Sequence, residues 1–186
     1  MSVTCRVLGI VGSPRKKGNT NAMVDAILQG AATKGAGVEK VRLSKQKIKS
    51  CKACDACREK GKCRHDDDME ELLALMKESD IWVLGTPVYW WGPTGLMKNF
   101  IDRWYQDVKG LQKSGNKKVI LAIPYGDTES ATAENTIGMF KNSMNYLDKE
   151  IVDIIEGPGL TGPNDAEENE ELMNTCLEIG KKIARS

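Results

Sequence analysis

The chain is 186 residues long, 40% apolar and formally +1 at neutral pH. It has the size of one domain, long enough to bury a full core without disulfide staples, and its composition fits neither a disordered nor a fibrous protein. No stretch approaches the roughly 20 apolar residues of a membrane span, and no recognition motif or basic–aromatic interleaving marks a nucleic-acid binder.

Met1 to Gly12 is too short for a signal peptide and reads as a strand, which sets the expected location in the cytoplasm. There the six cysteines are expected as thiols, metal ligands or redox groups rather than structural disulfides. The first strand is Cys5 to Gly12, followed by a helix from about Asn19 to Lys34. Val38 to Leu43 is a short second strand. The acidic run Asp66-Asp67-Asp68 opens a helix, where acid suits the positive end of the dipole. Ile81 to Thr86 is the third strand, with a helix from about Thr94 to Tyr105. Lys117 to Ile123 is the fourth strand, Ala131 to Leu147 a helix, Glu150 to Ile155 the fifth strand, and Asp165 to Ala184 the last helix. Strand–helix alternation with nearly continuous apolar strands predicts an α/β fold whose parallel sheet is covered on both faces. Right-handed crossovers narrow it to a doubly wound five-stranded sheet in the order 2-1-3-4-5. No repeat or linker divides residues 1–186, so one domain is expected, with a cysteine-rich insertion at 45–68 after the second strand. That insertion is long for a connection inside a compact domain, which favours function.

The first strand runs into Gly12-Ser13-Pro14-Arg15-Lys16-Lys17-Gly18-Asn19-Thr20 and then a helix. Such a turn presents N–H groups and hydroxyls where an anion sits comfortably. Ser13, Asn19 and Thr20 can donate hydrogen bonds, Arg15 adds a charge, and Gly18 lies inside the turn. Neither a Walker loop nor the Rossmann glycine fingerprint is present. The third strand ends in Thr86-Pro87-Val88-Tyr89-Trp90-Trp91-Gly92-Pro93-Thr94-Gly95. Both loops lie at the carboxyl ends of strands, at the switch point where doubly wound sheets bind ligands. Tyr89, Trp90 and Trp91 offer flat surfaces for a tricyclic ring, and N–H groups between Pro87 and Gly92 can bind its polar edge. Trp91 is the candidate for a subunit interface instead.

Together with Met97-Lys98-Asn99-Phe100-Ile101-Asp102-Arg103, these two loops resemble the NAD(P)H-dependent FMN reductase and iron–sulfur flavoprotein group, in the right order over most of the chain. The resemblance implies a flavodoxin-like fold and FMN. It places the phosphate at Ser13, Arg15, Gly18, Asn19 and Thr20 and the ring along Pro87, Val88, Tyr89, Trp90 and Gly92. The turn after the fourth strand, with Tyr125 and Gly126, touches the ring in such relatives. The flavin is then the reactive group, and no side chain stands out as a catalytic acid or base. A homodimer or homotetramer is implied as well.

Cys51-x-x-Cys54-x-x-Cys57 and Cys63 put four thiols within thirteen residues. Zinc sites usually space two cysteine pairs widely, whereas three ligands at intervals of three let one loop wrap a cubane. The spacing resembles the compact cysteine motif of iron–sulfur flavoproteins, which implies a [4Fe–4S] cluster on Cys51, Cys54, Cys57 and Cys63. Redox-active or free thiols and a zinc site stay open on the residues alone. Cys5 and Cys176 read as small apolar core residues, and His65 as an exposed loop residue. The charge is uneven: Met1 to His65 holds 15 Lys and Arg against 4 Asp and Glu, and the remainder 12 against 22. Such a block either docks a charged partner or solvates one edge of the sheet. By resemblance, a reduced ferredoxin-like donor feeds the cluster, and FMN passes electrons to a small-molecule acceptor. The alternatives are an NAD(P)H-dependent FMN or quinone reductase without a cluster, a non-catalytic flavodoxin-like carrier, and a metal-binding scaffold module.

Overall fold

In the computed structural model, which describes residues 5–184, apolar runs become strands in register across one sheet. Residues 1–4 of the stretch read as the first strand lie outside the described residues. The elements in chain order are β1 (Arg6–Val11), α1 (Asn19–Ala32), β2 (Gly37–Arg42), α2 (Ala56–Lys60), α3 (Met69–Glu78), β3 (Ile81–Gly85), β4 (Val88–Tyr89) and β5 (Gly92–Pro93). They continue with α4 (Gly95–Asp102), α5 (Val108–Lys113), β6 (Lys118–Pro124), α6 (Ala131–Leu147), β7 (Glu150–Gly157), α7 (Asp165–Glu168) and α8 (Glu170–Ile183). The main sheet has five parallel strands in the order β2-β1-β3-β6-β7. This is the expected flavodoxin-like order, 2-1-3-4-5 once the small β4–β5 hairpin is set aside.

β1, β3 and β6 are central and almost wholly buried. β2 and β7, at the edges, are half exposed, so the uniformly apolar pattern holds only for the middle of the sheet. One face packs on α3, α4 and α6 through Trp82, Leu84, Phe100, Trp104, Phe140 and Met144. The other packs on α1 and α8 through Val11, Met23, Ile27, Val83 and Cys176. Burial pushes the Cys176 thiol up to about 12, consistent with its reading as a core residue.

Four local differences from the expected elements have physical causes. The final helix is broken into α7 and α8 because Asn169 serves as an N-cap, its side chain accepting from Leu172 N–H at 3.0 Å, a role Asn fills well. α4 tightens after Asp102 into a 3-10 turn, Arg103–Asp107, and α5 follows it. The segment 45–68 contains the short α2, enclosed by left-handed Asp55 and Gly61. The acidic run before α3 makes no side-chain cap from Asp68, the N-cap residue. Its carboxylates instead accept Lys47 N–H (2.6 Å, Asp68) and Lys49 N–H (3.0 Å, Asp67), stapling the entry of the cysteine segment to its exit.

The crossing of α1 over α8 depends on two glycines. A Cβ on Gly180 would strike the Ile27 carbonyl, and one on Gly30 would strike the Leu177 carbonyl, backbone atoms that cannot step aside. Gly180→Ala therefore lowers stability by about 1–3 kcal/mol, the usual range for overpacking. Gly138→Ala on α6, where a Cβ would meet open space, raises it by up to about 1 kcal/mol through helix propensity. Chemical denaturation of the two variants checks the opposite signs.

Candidate functional site

The loop after β1 is held against β3 by Gly12 N–H, which donates to the Gly85 carbonyl at 2.7 Å. Ser13 is buried, and its Oγ accepts from Arg15 N–H at 3.3 Å. Gly18 precedes α1 at φ 156° and ψ 167°, a region that essentially only glycine visits. No side chain caps α1, so its leading N–H groups and the positive end of its dipole face the loop. Thr20, in the first turn, is buried.

The loop after β3 is tied to the first by one hydroxyl. Thr94 Oγ1 donates to the Gly12 carbonyl at 2.6 Å and accepts Met97 N–H at 3.1 Å, capping α4. Thr94 N–H in turn donates to Thr86 Oγ1 at 3.2 Å. Between these threonines the chain makes the β4–β5 hairpin, Val88 opposite Pro93 and Tyr89 opposite Gly92. Its two tip residues, Trp90 and Trp91, sit at φ 49° and 56°. Two positive φ values define the turn type that normally takes Asn-Gly. Two tryptophans in this conformation are strained, and such strain concentrates at functional positions.

The three predicted loops meet at one cavity of about 330 Å³ beyond the carboxyl edge of the sheet. Ser13, Arg15, Asn19 and Thr20 line one side, Pro87, Val88 and Tyr89 a second, and Pro124, Tyr125 and Gly126 a third. Gly18, Trp90 and Gly92 are not on its lining: Gly18 shapes the turn, Gly92 pairs with Tyr89, and Trp90 stands 91% exposed. Trp90 and Trp91 contact each other, ring centroids 5.9 Å apart.

A fourth wall, Leu160 and Thr161, has no signal in the sequence. It is fixed by Asn19, whose side-chain amide donates to Gly162 O at 2.8 Å and whose Oδ1 accepts Ala166 N–H at 3.0 Å. The sequence reading has Asn19 donating to a phosphate; its side chain is instead spent on this wall, which leaves its N–H at the start of α1. Tyr125 is buried, and its hydroxyl donates to Glu156 at 2.8 Å. Burial, then the bond to Glu156 and its charge, push the phenol up to about 12. The Tyr125 hydroxyl is thus engaged by Glu156 where the residue lines the cavity.

The cysteine segment lies on the α4 side of this site. Ala53 and Asp55 adopt left-handed conformations, turning the chain sharply between Cys51, Cys54 and Cys57. Cys51 and Cys54 are exposed, Cys57 and Cys63 half-buried, and the described cysteines form no disulfide. Among the described residues, no three Cys, His, Asp or Glu side chains converge as a metal site. The donor set nevertheless suits an iron–sulfur group: four soft thiols on one loop, two of them already reached by N–H donors. These donors are Ala53 N–H to Cys51 Sγ and Arg103 Nη2 to Cys63 Sγ, each at 3.5 Å. Arg103 Nε is buried without a partner. His65 is engaged with the Ser50 carbonyl at 3.0 Å.

The sequence matches the pattern of the NADPH-dependent FMN reductase family over residues 5–151. It is 33% identical to an iron–sulfur flavoprotein of Methanocaldococcus jannaschii over 96% of this chain and 95% of that one. It is 48% identical to an iron–sulfur flavoprotein of Archaeoglobus fulgidus across 53% of this chain, a match that takes in 44% of the relative's length. In fold it resembles an NAD(P)H:quinone oxidoreductase from Methanothermobacter marburgensis, at TM-score 0.74 and 16% identity over 97% of this chain and 96% of that one. The chain belongs to the NADPH-dependent FMN reductase family and its iron–sulfur flavoprotein relatives, and is a flavodoxin-like FMN-dependent oxidoreductase.

Proposed function

We propose that this oxidoreductase is an iron–sulfur flavoprotein that takes electrons from a reduced donor, a ferredoxin-like protein, and delivers them to a small-molecule acceptor. The observation that carries this reading is the meeting of three sequence-distant loops at one cavity on the switch-point edge of the sheet. Its size falls in the range of ligand sites. The uncapped start of α1, with Ser13, Arg15 and Thr20, would hold the FMN phosphate. Pro87, Val88, Tyr89, Tyr125 and Gly126 would flank the ring, and the Asn19-anchored wall at Leu160 and Thr161 would exclude water. Cys51, Cys54, Cys57 and Cys63 would hold a [4Fe–4S] cluster. When bound, FMN exchanges electrons singly or in pairs and an iron–sulfur cluster exchanges them singly, which suits a one-electron donor and a two-electron acceptor.

Eight cations of the cysteine segment, from Lys45 to Arg64, are exposed. This favours an acidic donor protein, whose approach such a face would speed. The exposed Trp90, Trp91, Tyr105 and Tyr146 support assembly into a homodimer or homotetramer, because exposed aromatics of this size mark contact surfaces. Unpaired thiols fit a reducing, cytoplasmic setting. The family pattern supports a second reading, a plain NAD(P)H-dependent reductase of FMN or quinones.

Anaerobically purified protein is expected to show a flavin absorption spectrum with stoichiometric iron and acid-labile sulfide. Flavin without iron would favour the plain reductase, and protein that neither carries nor takes up FMN would end both readings. Thr94→Val keeps the shape but removes the hydroxyl that ties Gly12 to α4. It should weaken FMN binding on the order of tenfold, about 1.4 kcal/mol, with Thr94→Ser near wild type in a fluorescence titration. Charge reversal at Lys60 and Lys62 should slow reduction by ferredoxin at low salt, and the gap should close at high salt as screening grows. Stopped-flow rates measured across ionic strength check this.

A further inference from the structure

We propose that Arg103 is a positioning residue for the cysteine loop, holding Cys63 in place and raising the reduction potential of the group bound there; this rests on the cluster reading above. Arg103 is 2% exposed, yet it reaches four groups in three separate stretches of chain. Nη1 donates to the Lys49 carbonyl at 2.7 Å and to Asp67 Oδ2 at 2.6 Å. Nη2 donates to Asp67 Oδ1 at 3.1 Å, to Gln106 Oε1 at 2.8 Å and to Cys63 Sγ at 3.5 Å. One guanidinium therefore clasps the entry of the cysteine segment at Lys49, its last thiol and its exit at Asp67. Asp67 completes the clasp by accepting Lys49 N–H and Met69 N–H. Asn99, four residues earlier on α4, adds a bond to the Ile48 carbonyl at 2.8 Å.

The electrostatic consequence follows from the charges. Each one-electron reduction adds a negative charge to a thiolate-bound cluster, and hydrogen bonds to its sulfurs are among the levers that set its potential. A buried cationic donor at one sulfur stabilises the reduced, more anionic state. Asp67 offsets this, because its carboxylate half-neutralises the guanidinium from the far side. The two residues of one ion pair should therefore move the potential in opposite directions. A clasp that only held the loop in shape would give both substitutions the same sign, or lose the cluster in both.

The test uses anaerobically purified, iron- and sulfide-loaded protein with Arg103→Gln, Arg103→Lys and Asp67→Asn, titrated against dithionite and followed by electron paramagnetic resonance. Arg103→Gln should shift the reduction equilibrium about tenfold toward the oxidised form, 59 mV for one electron. Asp67→Asn should shift it toward the reduced form, and Arg103→Lys, which keeps the charge but not the fork, should fall between wild type and Arg103→Gln. Hydrogen exchange on the cluster-free proteins gives an independent readout: residues 47–68 should exchange at least tenfold faster in Arg103→Gln, with β1, β3 and β6 unchanged. If Arg103→Gln does not fold, the sign of Asp67→Asn still decides. Wild-type protein that takes up no iron and sulfide removes the cluster reading, and the proposal with it. A loaded wild type whose variants share its potential, or shift together, overturns the proposal and leaves the cluster reading standing.

Discussion

The Thr94 hydroxyl is the contact on which the geometry of the site depends. It donates to the carbonyl of Gly12 just after β1 and accepts Met97 N–H in the first turn of α4, while Thr94 N–H bonds Thr86 just after β3. Gly12 has no side chain because the Met97 side chain and the Gly85 carbonyl fill the space a Cβ would need. Two loops that are 82 residues apart at this bond thus share one rigid junction. Two turns that would hold the phosphate and flank the ring of one ligand need a fixed separation, and a buried hydroxyl that both donates and accepts fixes it better than apolar packing, which lacks direction.

From that junction α4 acts as a strut. Its start touches both loops of the cavity, and its far end, through Asn99 and Arg103, touches the entry and exit of the cysteine segment. At 1.5 Å per residue the two ends stand about 14 Å apart. The cavity and the thiols of one chain are therefore joined by a single amphipathic helix, Met97 and Phe100 anchoring its buried face to the sheet. Relative motion of the two sites would require α4 to leave the core.

Much of this was legible locally. Apolar runs of five to eight residues gave the central strands, and the Gly-Ser-Pro-Arg turn gave the start of α1, because those features depend on neighbours in sequence. Contacts between distant residues were not legible. Nothing near Asn19 announces that its amide closes on Gly162, 143 positions away, or that Leu160 and Thr161 complete the cavity. The Trp90–Trp91 turn was missed because two-residue hairpins advertise themselves through Asn-Gly or Asp-Gly, and tryptophan is the opposite of that signal. Arg103 carries no local signal of its role: an arginine at the end of an amphipathic helix ordinarily points to water.

That arginine is buried at a real cost. Its side chain and that of Asp67 are each 1% exposed, 2.6 Å apart. Removing two charges from water offsets much of their attraction, so such a pair is weak evidence of added stability. Burial by itself would raise the Asp67 carboxyl, but the bonds from Arg103 and Lys49 N–H hold it below the ordinary carboxylate range, so the pair stays charged at neutral pH. A pair of apolar residues could fill the same volume between α3 and α4. It could not accept Lys49 N–H, bond the Lys49 carbonyl and reach Cys63 at once. Directional bonds to three points of one loop select a single path for residues 47–67, in a stretch with few buried apolar side chains of its own to do so. The charge is kept where shape had to be specified and hydrophobic packing had nothing to grip.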